Sequence, residues 1–292
     1  MLRISKSCHS HLQTHSKSRL NAKKLNQLAV SSNESARHCR YIQYCVSNIK
    51  VPGSKIAITQ NGYEYSYASI LRSSDILSSK IRSLLPSPSS LSTSSSAAIP
   101  PPPPRVALFA QPGPEYVAAT WAIWRAGCIV VPLATSHPPP ELDYVIRDAD
   151  VSVVIGSADS ESKLKPLSLA HGAAFLLSDP VSATTVHHDG SSAINTEPTP
   201  SFDPSVSLPL IQPPVGLVEG RDPDSGALII YTSGTTGRPK GALHTHGSLA
   251  AQVASLAEAW KMNEQDRVLH VLPLHHIHGI VNGLSLPLAY GG

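Results

Sequence analysis

Three short runs of almost unbroken apolar residues set the fold class of this chain. They are RVALFA at 105–110, CIVVPL at 128–133 and VSVVIG at 151–156. Helix-like sequence separates them, first over residues 115–126 and then within PPPELDYVIRDAD at 138–150. A strand that is apolar on both sides must be covered on both faces, and parallel neighbours need a helical crossover between them. The order strand, helix, strand, helix, strand therefore predicts an α/β fold, with a mostly parallel sheet and helices on both faces.

The flanking segments extend this pattern. KIAITQNGYEYSY, residues 55–67, reads as two short strands around an Asn-Gly turn. Ile70, Leu71, Ile76, Leu77, Ile81, Leu84 and Leu85 then recur at helical spacing. GALIIYTSG, from Gly226, restarts with a strand, and SLAAQVASLAEAW at 248–260 reads as the helix after the loop. The segment from Arg267 to Gly292 reads as a strand, a His-rich turn and an apolar helix. Residues 86–104, rich in Ser and Pro, are expected to be a disordered insertion, and 178–223 a long loop. One stretch, 116–134, has a single charge, Arg125, but Gly127 and Pro132 interrupt it, so no membrane span is expected.

Charge is uneven along the chain. Nine Lys or Arg and one acid, Glu34, fall in the first fifty residues, leaving fourteen basic and nineteen acidic residues for the rest. The mildly acidic remainder argues against a nucleic-acid-binding face. Residues 1–46 have the Ser-, Arg- and Lys-rich, acid-poor composition of a disordered transit peptide, with no apolar core of a secretory signal. Mitochondrion is the expected destination, with plastid or cytoplasm as alternatives. Four cysteines, three of them within or beside this leader, do not make a disulfide framework.

The chemistry is concentrated in YTSGTTGRPKG, residues 231–241. A Gly-rich turn after a strand lets backbone N–H groups approach an anion. Thr232, Ser233, Thr235 and Thr236 add hydroxyl groups, Gly234 and Gly237 add freedom, and Lys240 adds charge able to reach a phosphate. The Walker A spacing fails, because Lys240 follows Pro239 rather than glycine. A second cluster is LPLHHIHG at 272–279, in which His275, His276 and His278 crowd together. Zinc is the rival reading there, but no cysteine lies nearby and no HExxH helix is present, so no metal site is expected.

YTSGTTGRPKG closely resembles the signature of the adenylate-forming (AMP-binding) superfamily, which includes acyl-CoA synthetases. YSYASI at 65–70, WAIWRAGCIVVPL at 121–133 and LPLHHIHG fit the same family in the expected order. The resemblance runs from about Ser47 to Gly292. It implies that residues 47–292 form part of the large N-terminal domain of such an enzyme. It also implies activation of a carboxylic acid by ATP and Mg2+ to an acyl-adenylate, followed by transfer to CoA. Thr232, Ser233, Gly234, Thr235, Thr236, Gly237 and Lys240 would hold the β- and γ-phosphates, and His276 would lie beside the acyl-adenylate. HHxHG in place of the commoner FHxxG, with AEAW before it, resembles the malonyl-CoA synthetase branch. Malonate is therefore the favoured acid, another short or medium-chain acid being the alternative.

The family's later motifs are not found in the sequence. These are the YGxTE segment, the ribose-binding Asp, the hinge and the lid with its catalytic Lys; the only lysine after Lys240 is Lys261. The chain is accordingly expected to be an incomplete domain, unable to complete adenylation alone, with a non-catalytic remnant as the competing reading.

Overall fold

The apolar runs do pair in parallel. The computed structural model describes residues 51–86, 102–186, 210–211, 222–233 and 237–292. In chain order the elements are β1 (Val51–Pro52), β2 (Ile56–Gln60), β3 (Tyr63–Ser66), α1 (Tyr67–Leu84), β4 (Arg105–Phe109) and α2 (Pro114–Ala126). There follow β5 (Ile129–Pro132), α3 (Pro139–Asp148), β6 (Val151–Gly156), α4 (Glu161–Ala170), β7 (Ala174–Leu177), β8 (Thr185–Val186) and β9 (Leu210–Ile211). The last are β10 (Gly226–Thr232), β11 (Lys240–Thr245), α5 (His246–Trp260), a π-helical stretch His278–Ser285, and α6 (Leu286–Tyr290). All lie in one compact unit, Ile42–Gly292.

The main sheet has six strands in the order β11-β10-β5-β4-β6-β7. Every pairing is parallel except that of β10 with β11. The strands show why their sequences are apolar throughout. Val106 and Leu108 of β4 face one core, with α1, α2 and α5, whereas Ala107 and Phe109 face the other, with α3 and α4. Val130 and Val131 of β5 divide in the same way. Side chains alternate between faces along a strand, so a strand buried on both sides needs apolar residues at every position.

Helix α2 accounts for the membrane-like stretch. Pro114 starts it, Gly127 ends it in the left-handed conformation at φ 87°, and every residue from Tyr116 to Trp124 is buried. It lies between the sheet and α1, so its apolar character all round reflects core position. No helix among the described residues is long and apolar enough to cross a membrane. The Asn-Gly turn forms as the sequence predicts, with Asn61 at φ 53° and Gly62 at φ 78°. Ser66 caps α1, its hydroxyl accepting the Ser69 N–H at 3.2 Å.

Five expectations need correction. The helix does not directly follow the Thr/Ser/Gly loop: β11 intervenes, antiparallel to β10, from Thr232↔Lys240 to Gly226↔Thr245. The loop is thus a hairpin connection. Residues 157–177, to which the pattern assigns no element, form a 3-10 turn, α4 and the edge strand β7. The apolar segment 267–272 is not a strand, and Leu269 and Val271 are 88% and 77% exposed. A strand requires a neighbouring ladder, and no described strand runs beside this one. The closing helix begins as the wider π form, the Leu286 N–H bonding the Val281 carbonyl. Of the expected long loop 178–223, β8 pairs with β3 and β9 with β1. The expected leader 1–46, most of the insertion 86–104 and the remainder of that long loop lie outside the described residues.

Candidate active site

Chain direction decides where a site can form. Helix α2 leaves β4 for β5 on one side, and α3 then carries the chain back across to β6 on the other. Ligands of such sheets bind in the crevice outside the carboxyl ends of the strands, near the point where the order reverses. Two features of this chain meet that edge: the loop after β10, and the segment after β5 that leads through His137 into α3.

The loop spans residues 233–239 between β10 and β11. Thr232 is the last residue of β10, and Lys240, directly across the ladder, is the first of β11. Both residues are exposed, as are Ser233 and Gly237. Gly237 has φ +92°, and no atom lies within 4 Å of the place a side chain would occupy. Its conformation rather than crowding calls for glycine. Gly234, Thr235 and Thr236 lie outside the described residues. Helix α5 starts at the far end of β11, where Thr245 and Ser248 cap each other reciprocally. That end of α5 is thus capped from within and lies one strand length away from the loop. His244 stands on β11, and His246 is buried as the first residue of α5, edge-on to Trp124.

Both stems of the loop are tied to α3. The Tyr231 hydroxyl donates to Asp148 Oδ2 at 2.7 Å, and the Tyr144 hydroxyl donates to the Pro239 carbonyl at 2.8 Å. The two tyrosine rings meet edge to face, with centroids 6.3 Å apart. Burial, and then the Asp148 carboxylate, push the Tyr231 hydroxyl well above its ordinary value, so it remains a donor.

The His-rich turn packs against the start of α3. The His275 and His276 rings lie 4.2 Å apart, and His137 lies 5.8 Å from His275. Glu141, one turn along from His137, sits 3.3 Å from its Nδ1. Burial first, then the neighbouring His276 and His137, hold His275 below its ordinary value. His276 is exposed, and no hydrogen bond joins it to the loop among the described residues. No group of three or more His, Cys, Asp or Glu that could hold a metal ion occurs among the described residues.

Buried tyrosines hold this turn and the helix α6 that follows it. The Tyr116 hydroxyl donates to the Leu274 carbonyl at 2.8 Å and that of Tyr67 to the Leu288 carbonyl at 3.0 Å. The turn is wound so tightly that a Cβ on Gly279 would lie 2.3 Å from the Pro273 carbonyl oxygen. The Gly279 carbonyl meets His270 Nε2 at 3.1 Å.

The structure thus brings Thr232 and Lys240 together at the loop base and sets His276 in a separate histidine group. Sequence reasoning missed His137, Tyr144 and Asp148. Only the one-turn spacing of Tyr144 and Asp148 on a helix was available as a signal, and it named no partner.

The AMP-binding enzyme family model matches residues 101–292. A malonate–CoA ligase of Arabidopsis thaliana is 40% identical over 184 residues, covering 63% of this chain and 28% of that protein. A mitochondrial malonate–CoA ligase of Xenopus laevis is 37% identical over 234 residues, covering 80% of this chain and 35% of that protein. Among solved structures, ATP-bound MatB of Rhodopseudomonas palustris superposes with a TM-score of 0.61 at 22% identity, over 87% of this chain and 44% of that one. A malonyl-CoA ligase complex with methylmalonyl-CoA and AMP bound gives 0.58 at 26% identity, over 85% and 42%. The chain thus spans about a third of the length of these curated relatives.

Proposed function

The chain belongs to the AMP-binding enzyme family, and from that premise we propose that it is the nucleotide-holding portion of an ATP-dependent acid–CoA ligase acting on malonate. The observation that carries the reading is the Thr/Ser/Gly loop at the carboxyl edge of the sheet, with Thr232, Ser233 and Gly237 exposed and Lys240 at its exit. In the proposed reaction a malonate carboxylate oxygen attacks the α-phosphorus of MgATP, and the bond to the bridging oxygen breaks to release pyrophosphate. The CoA thiolate then attacks the acyl carbon of the adenylate and AMP leaves.

The chain's own residues would supply positioning and charge. Thr232, Ser233 and the loop residues Gly234 to Gly237 hold the β- and γ-phosphates through hydroxyl and backbone N–H groups. Lys240 neutralises charge at the same place. His276 stands at the acid side, against the His275 ring. Malonate is favoured because the two ligases compared above are named for it, and because HHIHG at 275–279 resembles that branch. Import into mitochondria is proposed from the basic, acid-poor leader and from the mitochondrial name of the Xenopus relative.

The test is nucleotide binding, since the chain spans about a third of the relatives' length. MgATP should bind the chain, and Lys240→Ala should weaken binding roughly tenfold through loss of one charge-assisted contact. Equal affinity in wild type and variant would remove Lys240 from the site.

A further inference from the structure

We infer that Tyr144 and Asp148 form a clamp from α3 onto the two stems of the loop and so act as positioning residues for the triphosphate. The inference rests on the reading above, that the loop holds nucleotide. The two residues are four apart on one helix, so their side chains project from the same face, one turn apart. Their partners are the residues that flank the last ladder pair. Tyr231 precedes Thr232 on the incoming stem, and Pro239 precedes Lys240 on the outgoing one.

Each contact suits its stem. Proline has no N–H, so the carbonyl is the only backbone hydrogen-bonding group that Pro239 has, and the Tyr144 hydroxyl takes it at 2.8 Å. On the other stem, Asp148 Oδ2 accepts the Tyr231 hydroxyl at 2.7 Å. The tyrosine rings pack edge to face, and the Arg147 guanidinium lies 6.0 Å from the Tyr144 ring centre. The Tyr144 hydroxyl lies 3.5 Å from Asp148 Oδ1, at the outer limit of a hydrogen bond, so its effective acceptor is the Pro239 carbonyl.

No other hydrogen bond among the described residues holds the outgoing stem beyond the ladder. Gly237, Arg238 and Pro239 are exposed, and Gly237 has open space where a Cβ would lie. The antiparallel ladder fixes the spacing of the two stems at Thr232 and Lys240, but leaves their tilt relative to the crevice unset. The two bonds to α3 set that tilt. They hold the stems that carry Thr232, Ser233 and Lys240 against α3 instead of letting them swing at the surface.

The experiment compares wild type, Tyr144→Phe and Tyr231→Phe in the full chain, each variant losing one hydroxyl and keeping its ring. Backbone amide hydrogen exchange is followed over residues 231–241 with and without MgATP, and over β4–β6 as an internal control. Loss of one hydrogen bond should raise exchange in 231–241 about three- to tenfold, leave β4–β6 unchanged, and weaken MgATP binding by a similar factor. An Asp148→Asn variant, which keeps an acceptor for Tyr231, should stay near wild type and so separate hydrogen bonding from charge. If wild type and Tyr144→Phe bind MgATP equally and exchange alike over 231–241, the clamp is refuted while the nucleotide reading stands. The clamp is refuted as well if exchange rises evenly through the whole chain, which marks a purely structural role. If wild type binds no MgATP at all, the nucleotide reading falls, and the positioning role falls with it.

Discussion

Replacing Gly279 by alanine should destabilise the His-rich turn specifically. The new Cβ would meet the Pro273 carbonyl oxygen at 2.3 Å, the Pro273 carbonyl carbon at 3.0 Å and Leu272 Cβ at 3.3 Å. The nearest of these is backbone, so no rotamer change relieves the contact. Reaching even 3.0 Å from that oxygen requires the chain to separate by about 0.7 Å. Overpacking of this kind costs about 1–3 kcal/mol. Separation also lengthens the contact between His270 Nε2 and the Gly279 carbonyl, now 3.1 Å, worth about 0.5–1.5 kcal/mol. The expected loss is therefore roughly 2–4 kcal/mol. Urea unfolding should report it as a lower midpoint at unchanged slope, and thermal unfolding as a fall of about 5–15 °C in Tm. If His276 stands at the acid side as proposed, acid-dependent adenylation in a protein of the relatives' length should suffer more than nucleotide binding. A stability change under about 0.5 kcal/mol would refute the steric argument, since that is the range of an ordinary surface substitution.

Other outcomes follow from the same contacts. Tyr116→Phe removes the buried hydroxyl that meets the Leu274 carbonyl and should cost about 1–3 kcal/mol in urea unfolding; no measurable loss would mean the turn is held from elsewhere. His275 has its folded value held below the ordinary 6.5, so the native state favours the neutral ring. Stability from this source is present above pH 6.5 and is lost as pH falls through the folded value. His275→Phe should flatten that part of the stability–pH curve, and two curves of the same shape would count against the coupling. In NMR titration, His276→Asn should move the His275 midpoint upward, by removing one of the charges that oppose it.

Much of the fold was legible because burial on both faces leaves no choice of residue. The runs at 105–109, 129–132 and 151–156 are apolar almost throughout for that reason, and each is a strand. The turn at Asn61–Gly62 was legible because few residues other than these adopt positive φ readily. Strand β11 was not legible. Lys240 to Leu243 are all exposed, so no alternation marks the strand, and its conformation comes from pairing with β10. The reverse error occurs at Val268, Leu269 and Val271, where apolar residues suggest a strand but no described strand receives it. Within the site, composition marked the loop and the histidines. It could not mark Tyr144 and Asp148, whose partners lie 95 and 83 residues away, or His137, which meets His275 only through folding.

The hairpin that β11 forms with β10, ahead of the expected helix, has a thermodynamic consequence. Thr232 and Lys240 are already paired, so residues 233–239 are a short loop whose ends are joined before any ligand arrives. The conformational entropy of bringing those ends together is lost on folding, not on binding. Fixing a residue into one backbone well costs about 1–2 kcal/mol, and a tether of the same composition with one end loose would have to meet that cost from its affinity for the anion. A closed loop meets less of it, so under the proposed function fewer phosphate contacts would be needed to hold a polyphosphate at the sheet edge.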